Sequence, residues 1–104
     1  MKKTEINWKS GEVTSWDIDD LDIAKSIESQ IALLKEDLFQ VRFGKTVILD
    51  LGWHPEFNSQ GQFVLSVVKQ ENWQKPIFHL QFRDMENFKQ NLNEAIEIAR
   101  SEEA

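Results

Sequence analysis

The fold is decided by residues 47–82, which read VILDLGWHPEFNSQGQFVLSVVKQENWQKPIFHLQF. Three runs in this stretch alternate apolar side chains with others, and a period of two is typical of strands with one buried face. The connections between the runs contain Asn, Gly and Pro, which favour turns, and they are too short for a parallel crossover. The stretch therefore predicts an antiparallel meander of three or more strands, with strands at about 46–53, 62–70 and 77–82.

A helix is predicted on each side of these strands. Apolar residues recur at three-and-four spacing over 20–40 and again over 85–100, with Asp84 placed to cap the second segment. Residues 1–16 are expected to form either a short hairpin or an irregular arm, and residues 40–43 either the fraying end of the first helix or an entry strand of the sheet. The sequence thus predicts one α+β domain over residues 1–104, in the order α-β-β-β-α, with both helices on one face of the sheet. Leu34 and Leu80 are expected in its core.

The second face of the sheet is predicted to be partly apolar. Ile48, Val64, Val68 and Ile77 point to it in the alternating pattern. Such side chains are unfavourable on a fully solvated face. This face is therefore expected to be covered by the N-terminal arm or left for a partner.

Composition excludes several classes of chemistry. The 104 residues contain no cysteine, which rules out disulfides, thiolate zinc sites and cysteine nucleophiles. The N-terminal residues lack the apolar core of a signal peptide, and no window approaches the roughly 20 apolar residues of a membrane span. A cytoplasmic location is therefore expected.

The net charge of −6 is unevenly distributed. Residues 11–40 hold eight acids against two lysines, and residues 84–104 hold six acids against two bases, whereas residues 41–83 carry five bases and three acids. An acidic field repels nucleic acid and anionic membranes and attracts basic proteins. Neither nucleic acid nor a membrane is therefore expected as a partner.

Four acids are concentrated within six residues, namely Asp17, Asp19, Asp20 and Asp22. A calcium loop of the EF-hand type would need a glycine at the turn, and Lys25 also spoils the ligand pattern. Helix capping accounts for one or two of the four acids. The others are interpreted as solvated charge or as contacts to a basic partner, with Trp16 as an anchor.

The two histidines, His54 and His79, are considered as metal ligands or as an acid–base pair. Zinc needs three protein ligands, and no HxH or HExxH spacing occurs. No serine lies in a nucleophile elbow and no glycine-rich phosphate loop is present. The sequence therefore predicts no metal, no cofactor and no enzymatic activity, although a small enzyme that uses His54 or His79 stays a third option.

Four tryptophans are many for a chain of this length. Trp16 and Trp73 fall in predicted loops or termini, as does Trp8, and Trp53 ends a predicted strand. Exposed Trp is enriched at the centres of protein–protein interfaces, while loop Trp can also close the ends of a small core. A second partner-binding patch is predicted at the end of the sheet from Trp53, His54, Glu56 and Trp73.

The run from Val47 to Phe57, the following hairpin, and Trp73-Gln74-Lys75-Pro76 before a strand and a helix resemble immunity proteins of bacterial toxin–immunity systems. The resemblance covers residues 45–100 and is to the contact-dependent growth inhibition type. It implies a small, acidic, cytosolic α+β protein that binds and neutralises a toxin domain. Such families share no catalytic residues, so no site is transferred.

The expected function is therefore neutralisation of a cognate toxin with a basic surface by stoichiometric occlusion. Many such toxins are nucleases, and an acidic surface competes for the space of the nucleic acid. The alternative is a small interaction or regulatory domain with another partner, such as a phage-type inhibitor.

Overall fold

The chain forms a five-stranded antiparallel sheet with one α-helix in a computed structural model, which describes residues 1–103. The strands lie in chain order and each pairs with the next. The strands are β1 (Glu12–Trp16), β2 (Phe39–Phe43), β3 (Val47–His54), β4 (Gln62–Lys69) and β5 (Phe78–Phe82), and the helix is α1 (Phe88–Glu102). Three 3-10 turns occupy Lys3–Glu5, Glu28–Leu33 and Met85–Asn87.

The three strands predicted from residues 47–82 are confirmed as β3, β4 and β5. The first of them ends at His54, before Pro55, which has no N–H to donate to a ladder. Asp84 accepts a hydrogen bond from the Glu86 N–H at 2.8 Å and so caps the turn that leads into α1. The α+β class and the meander are confirmed, and the meander has five strands.

One face of the sheet, named here the covered face, holds the core. Phe88 of α1 packs edge-on against Phe63 at 5.3 Å, and Trp8 of the N-terminal arm packs against Phe39 at 5.6 Å. The helix and the arm therefore lie on the same side. The fully buried strand residues on this face are Phe39, Val41, Phe43, Val47, Leu49, Leu51, Trp53, Phe63, Leu65 and Val67.

The predicted helix over residues 20–40 is wrong. These residues form an irregular segment with one 3-10 turn and the start of β2. The buried side chain of Gln30 explains part of this path, because it accepts from the Asp22 N–H at 2.7 Å and donates to the Asp22 carbonyl at 2.8 Å. Gln30 itself has a non-helical backbone. Leu21, Leu34 and Leu38 are nevertheless buried, without a helix to carry them.

The N-terminal hairpin is also wrong. Ile6 and Trp8 are not in a strand, and β1 pairs with β2, which is distant in sequence. The alternation of Phe39, Val41 and Phe43 makes β2 the better neighbour, because it continues the covered face of β3. The order α-β-β-β-α is therefore replaced by a meander that ends in one helix.

The other face of the sheet, named here the open face, is covered only in part. It carries Val68, which is buried, Ile48 and Val64, which are partly buried, and His79 and Gln81, which are exposed. The N-terminal arm does not cover it, since that arm packs on the covered face. Within residues 1–103, no helix is long and apolar enough to cross a membrane.

Truncation of the two predicted core leucines should have unequal effects. Leu34 is fully buried, so Leu34→Ala is expected to cost about 2–5 kcal/mol in the free energy of unfolding. Leu80 lies on the edge strand and is only half-buried, so its place in the core is less complete than predicted. Leu80→Ala should cost about half as much, because less apolar area is lost from the interior. Denaturant unfolding of both variants measures this difference, and equal losses would contradict the edge position of Leu80.

Candidate functional site

The acidic segment, defined as residues 17–22, lies on the surface next to the end of β1. Its four aspartates are exposed, while Ile18 and Leu21 between them are 2% and 3% exposed. Two buried apolar side chains therefore fix the segment to the core, and the carboxylates project outward from it. Both interpretations of these acids, solvated charge and contact with a basic partner, require this exposure, and the contact stays a prediction.

Hydrogen bonds hold the backbone of the acidic segment. The Met1 ammonium donates to the carbonyls of Ile18 at 3.0 Å and Asp19 at 2.8 Å, and also to that of Leu21. The Gln30 side chain bonds both the N–H and the carbonyl of Asp22. Asp22 also accepts from the Ala24 N–H at 2.9 Å. The four carboxylates are thus attached to an ordered backbone.

Trp16 supports the acidic segment from beneath. Its half-buried ring stacks on Phe39 at 4.8 Å and meets Trp8 edge-on at 5.8 Å. Its indole N–H donates to the Asp19 carboxylate at 2.8 Å. The indole therefore orients one of the acids, and its role as an anchor in a partner stays a prediction.

Two of the four aspartates have cationic partners. Asp17 pairs with Lys35 at 2.7 Å, and Asp19 lies 3.6 Å from Lys2. The hydrogen bond to Asp17, followed by the charge of Asp17, raises the pKa of Lys35. Among residues 1–103, no ion pair involves Asp20 or Asp22. These two carboxylates carry the uncompensated charge of the segment.

A second acidic group adjoins the first. The Leu38 N–H donates to the Leu51 carbonyl at 2.9 Å, and the Trp53 N–H donates to the Lys35 carbonyl at 2.8 Å. Between these two hydrogen bonds the chain bulges outward at Glu36 and Asp37. Glu56 accepts from the Glu36 N–H at 3.3 Å, and the Glu36 carboxylate lies 3.6 Å from His54. The charge of Glu56 also contributes to the raised pKa of Lys35.

These contacts make one acidic surface, which is defined by Asp17, Asp19, Asp20, Asp22, Glu36, Asp37 and Glu56. Lys35 and His54 lie within it. Glu36 and Asp37 were not predicted as site residues. The only signal in the sequence is that they precede the alternating run of β2, and the bulge that exposes them depends on pairing with β3.

The predicted grouping of Trp53, His54, Glu56 and Trp73 is not found. Trp53 is fully buried, packs edge-on against Phe63 at 4.9 Å and donates its indole N–H to the Asn58 carbonyl at 2.9 Å. A buried ring offers no surface to a partner. Trp53 instead holds the turn that carries His54 and Glu56.

Trp73 lies at the opposite end of the sheet from Trp53. Trp53 pairs with the start of β4 at Phe63, whereas Trp73 follows the end of β4. The Trp73 ring is 49% exposed and borders a depression of about 360 Å³ on the open face, together with Ser66, Val68 and His79. Trp73 is therefore a separate surface feature.

A row of polar side chains crosses the open face on four neighbouring strands. Gln40 donates to the Asp50 carboxylate at 2.9 Å, Asp50 lies opposite Ser66, and the Ser66 hydroxyl is 3.1 Å from Nδ1 of His79. Burial raises the pKa of Asp50, the bond from Gln40 opposes this, and the nearby charge of Asp37 adds to it. The row therefore contains one carboxylate, that of Asp50, which is partly shielded from water.

Asp50→Asn is expected to raise the free energy of unfolding at pH 7. The pKa of Asp50 is higher in the folded than in the unfolded chain, so stability falls as the pH rises through the range above 3.8. The variant lacks this titration and keeps an oxygen for Gln40. Its advantage should therefore be present at neutral pH and vanish below the unfolded pKa. Denaturant unfolding at several pH values measures this, and a difference independent of pH would contradict it.

The histidines do not form the arrangement that would indicate an enzyme. His54 is exposed beside Glu36. His79 contacts Ser66, and Asp50 lies on the other side of Ser66, away from the imidazole. In a catalytic Ser-His-Asp triad, the carboxylate accepts from the histidine nitrogen that does not face the serine. Among residues 1–103, no group of three potential metal ligands is present.

The candidate site is an exposed surface with an acidic part at residues 17–22, 36, 37 and 56 and a separate apolar part at Trp73. Comparison with protein-family models, curated proteins and solved structures finds no match to the chain.

Proposed function

We propose that the chain is an immunity protein that binds a cognate toxin domain with a basic surface, of the nuclease class, and neutralises it by stoichiometric occlusion. The observation that carries the proposal is the acidic segment, whose four exposed aspartates are attached to an ordered, non-helical backbone. Capping of a helix does not account for them, since no helix begins there.

An ordered acidic surface suits this function for two reasons. Fixed carboxylates lose little conformational entropy on binding, so more of the interaction energy is retained as affinity. Within residues 1–103, the charge of Asp20 and Asp22 is uncompensated by any ion pair. That of Glu56 lies near Lys35, the partner of Asp17. The summed negative charge attracts a basic partner over a distance and raises the rate of encounter. A surface that imitates phosphates in sign occupies a cleft that would otherwise hold nucleic acid.

A protection experiment tests the proposal. The product of a neighbouring toxin gene, or a protein captured with the chain from the native cell, is expressed with and without the chain. Wild type should restore growth. A quadruple variant with Asn at 17, 19, 20 and 22 should protect less, because the oxygens that hold the segment remain while the charge is lost. A chain that binds the toxin but gives no protection would contradict the proposal.

A second candidate function, binding of a partner other than a toxin, is favoured by one observation. Trp73 and Ile77 are 49% and 39% exposed on or beside the open face, away from the acidic surface. Exposed large aromatics often anchor partners. Trp73→Ala should leave toxin protection intact if the acidic surface is the site. Loss of protection with this variant alone would place the toxin contact on the open face and would contradict this second function.

A further inference from the structure

The outer edge of β5 is unprotected. β5 lies at one end of the sheet and pairs only with β4. Edge strands usually carry a charge, a proline or a bulge that prevents pairing with another chain. The opposite edge, β1, has a bulge between Val13 and Ser15 and the charged Glu12. β5 reads Phe78-His79-Leu80-Gln81-Phe82 and has none of these devices.

The apolar side of β5 is also incompletely buried. Phe78, Leu80 and Phe82 point to the covered face, yet all three are only half-buried. By contrast, Phe63 and Leu65 of the neighbouring strand are at most 1% exposed. A further strand beside β5 would extend the covered face and complete this burial.

The pattern of apolar and polar residues in β5 is symmetric around Leu80, with Phe at both ends and His79 and Gln81 on either side of the centre. An antiparallel pairing of two copies that uses all five residues must place Leu80 opposite Leu80. Phe78 then lies opposite Phe82 of the other copy, and His79 opposite Gln81, each pair occurring twice. Aromatic cross-strand pairs stabilise a sheet, and no charged residue meets its like. A two-fold axis perpendicular to the sheet leaves both covered faces on one side.

We infer that β5 is a homodimer interface, through which two copies form one continuous ten-stranded antiparallel sheet. This does not depend on the proposed toxin. One five-residue strand pairing buries much less than the roughly 1,200 Å² of a stable interface, so the dissociation constant should be on the order of 10–100 μM. Because the copies each carry a charge of −6, added salt should strengthen the dimer by screening repulsion.

Sedimentation velocity over a range of concentrations tests the inference. The wild-type chain should change from monomer to dimer as its concentration rises. His79→Lys with Gln81→Lys places lysines directly opposite in both cross-strand pairs and should weaken the dimer roughly tenfold. His79→Glu with Gln81→Lys places opposite charges there and should restore it. Gln90→Lys with Asn93→Lys, on exposed positions of α1, is the matched charge control and should dimerise like wild type.

Three results would overturn the inference. The first is a wild type that stays monomeric at about 300 μM in high salt, well above the expected dissociation constant. The second is an equal loss of dimer in the edge variant and the α1 control. The third is a failure of the opposite-charge variant to recover the dimer, which would exclude pairing centred on Leu80. Thermal unfolding of each variant confirms that it is folded, so that monomers reflect the edge and not misfolding.

Discussion

Gly52→Ala should destabilise the chain more than alanine at any of the other three glycines. A Cβ at position 52 would lie 2.9 Å from the carbonyl carbon of Glu36 and collide with its oxygen. Both groups are backbone, so neither can rotate away, and the Trp53–Lys35 hydrogen bond beside them would have to break. Overpacking of this kind costs roughly 1–3 kcal/mol and more where the backbone must move, so a loss of at least 3 kcal/mol is expected.

Gly44→Ala is the matched control for the loss of a glycine. Gly44 has a φ of 64° in the turn between β2 and β3, where a side chain costs about 1–2 kcal/mol. Denaturant unfolding gives the loss in free energy of unfolding for both variants. For Gly44→Ala this loss reports strain in a turn, and for Gly52→Ala it reports a steric collision with the Glu36 backbone. If Gly52→Ala proves no more destabilising than Gly44→Ala, the Glu36–Asp37 bulge does not cross Gly52 as described.

Removal of the four aspartate charges should slow association with a basic partner by roughly 10- to 100-fold at low salt, since steering of this kind raises on-rates by 10 to 1,000-fold. The variant carries Asn at 17, 19, 20 and 22, so the oxygens that accept from Trp16 and from the Ala24 N–H remain. The difference should shrink as ionic strength rises and the Debye length shortens to about 8 Å at 0.15 M.

A charge-matched variant separates local from global electrostatics. Gln at 12, 71, 94 and 97 replaces four exposed glutamates that lie outside the acidic surface and gives the same net charge of −2, from −6 plus four. If steering comes from the acidic surface, this variant should associate almost as fast as wild type. Equal slowing in both variants, measured by stopped flow, would show that only the total charge matters.

The central strands and α1 were predictable because their patterns are local and unambiguous. Phe63, Leu65 and Val67 alternate without interruption, and Phe88, Leu92 and Ala95 repeat with a helical period. Each of these patterns has one solution that buries its apolar side chains. The turns between β3, β4 and β5 carry the expected Asn, Gly and Pro.

The predicted helix over residues 20–40 was wrong although their apolar spacing fits one. The side chain of Gln30 bonds both the N–H and the carbonyl of Asp22 and so stabilises part of the irregular path, and no sequence pattern indicates a glutamine in that role. The entry strand that was one alternative for residues 40–43 is found as β2, and the alternation of Phe39, Val41 and Phe43 with Gln40 and Arg42 favoured it.

The site was predictable in part. The density of aspartates over 17–22 follows from composition, and Ile18 and Leu21 between them indicate which side faces the core. The burial of Trp53 depends on contacts with Phe63 and Arg83 from other strands or their ends. The addition of Glu36 and Asp37 depends on the pairing of β2 with β3, which a helix over 20–40 had excluded.

Titration of the activity of the toxin with the purified chain tests occlusion by the acidic surface most directly. If the acidic surface occludes the toxin, activity should fall linearly to zero at one chain per toxin and excess nucleic acid should compete with inhibition. The quadruple Asn variant should inhibit only at higher concentration. Residual activity at saturation, or equal inhibition by wild type and the quadruple variant at low salt, would contradict it.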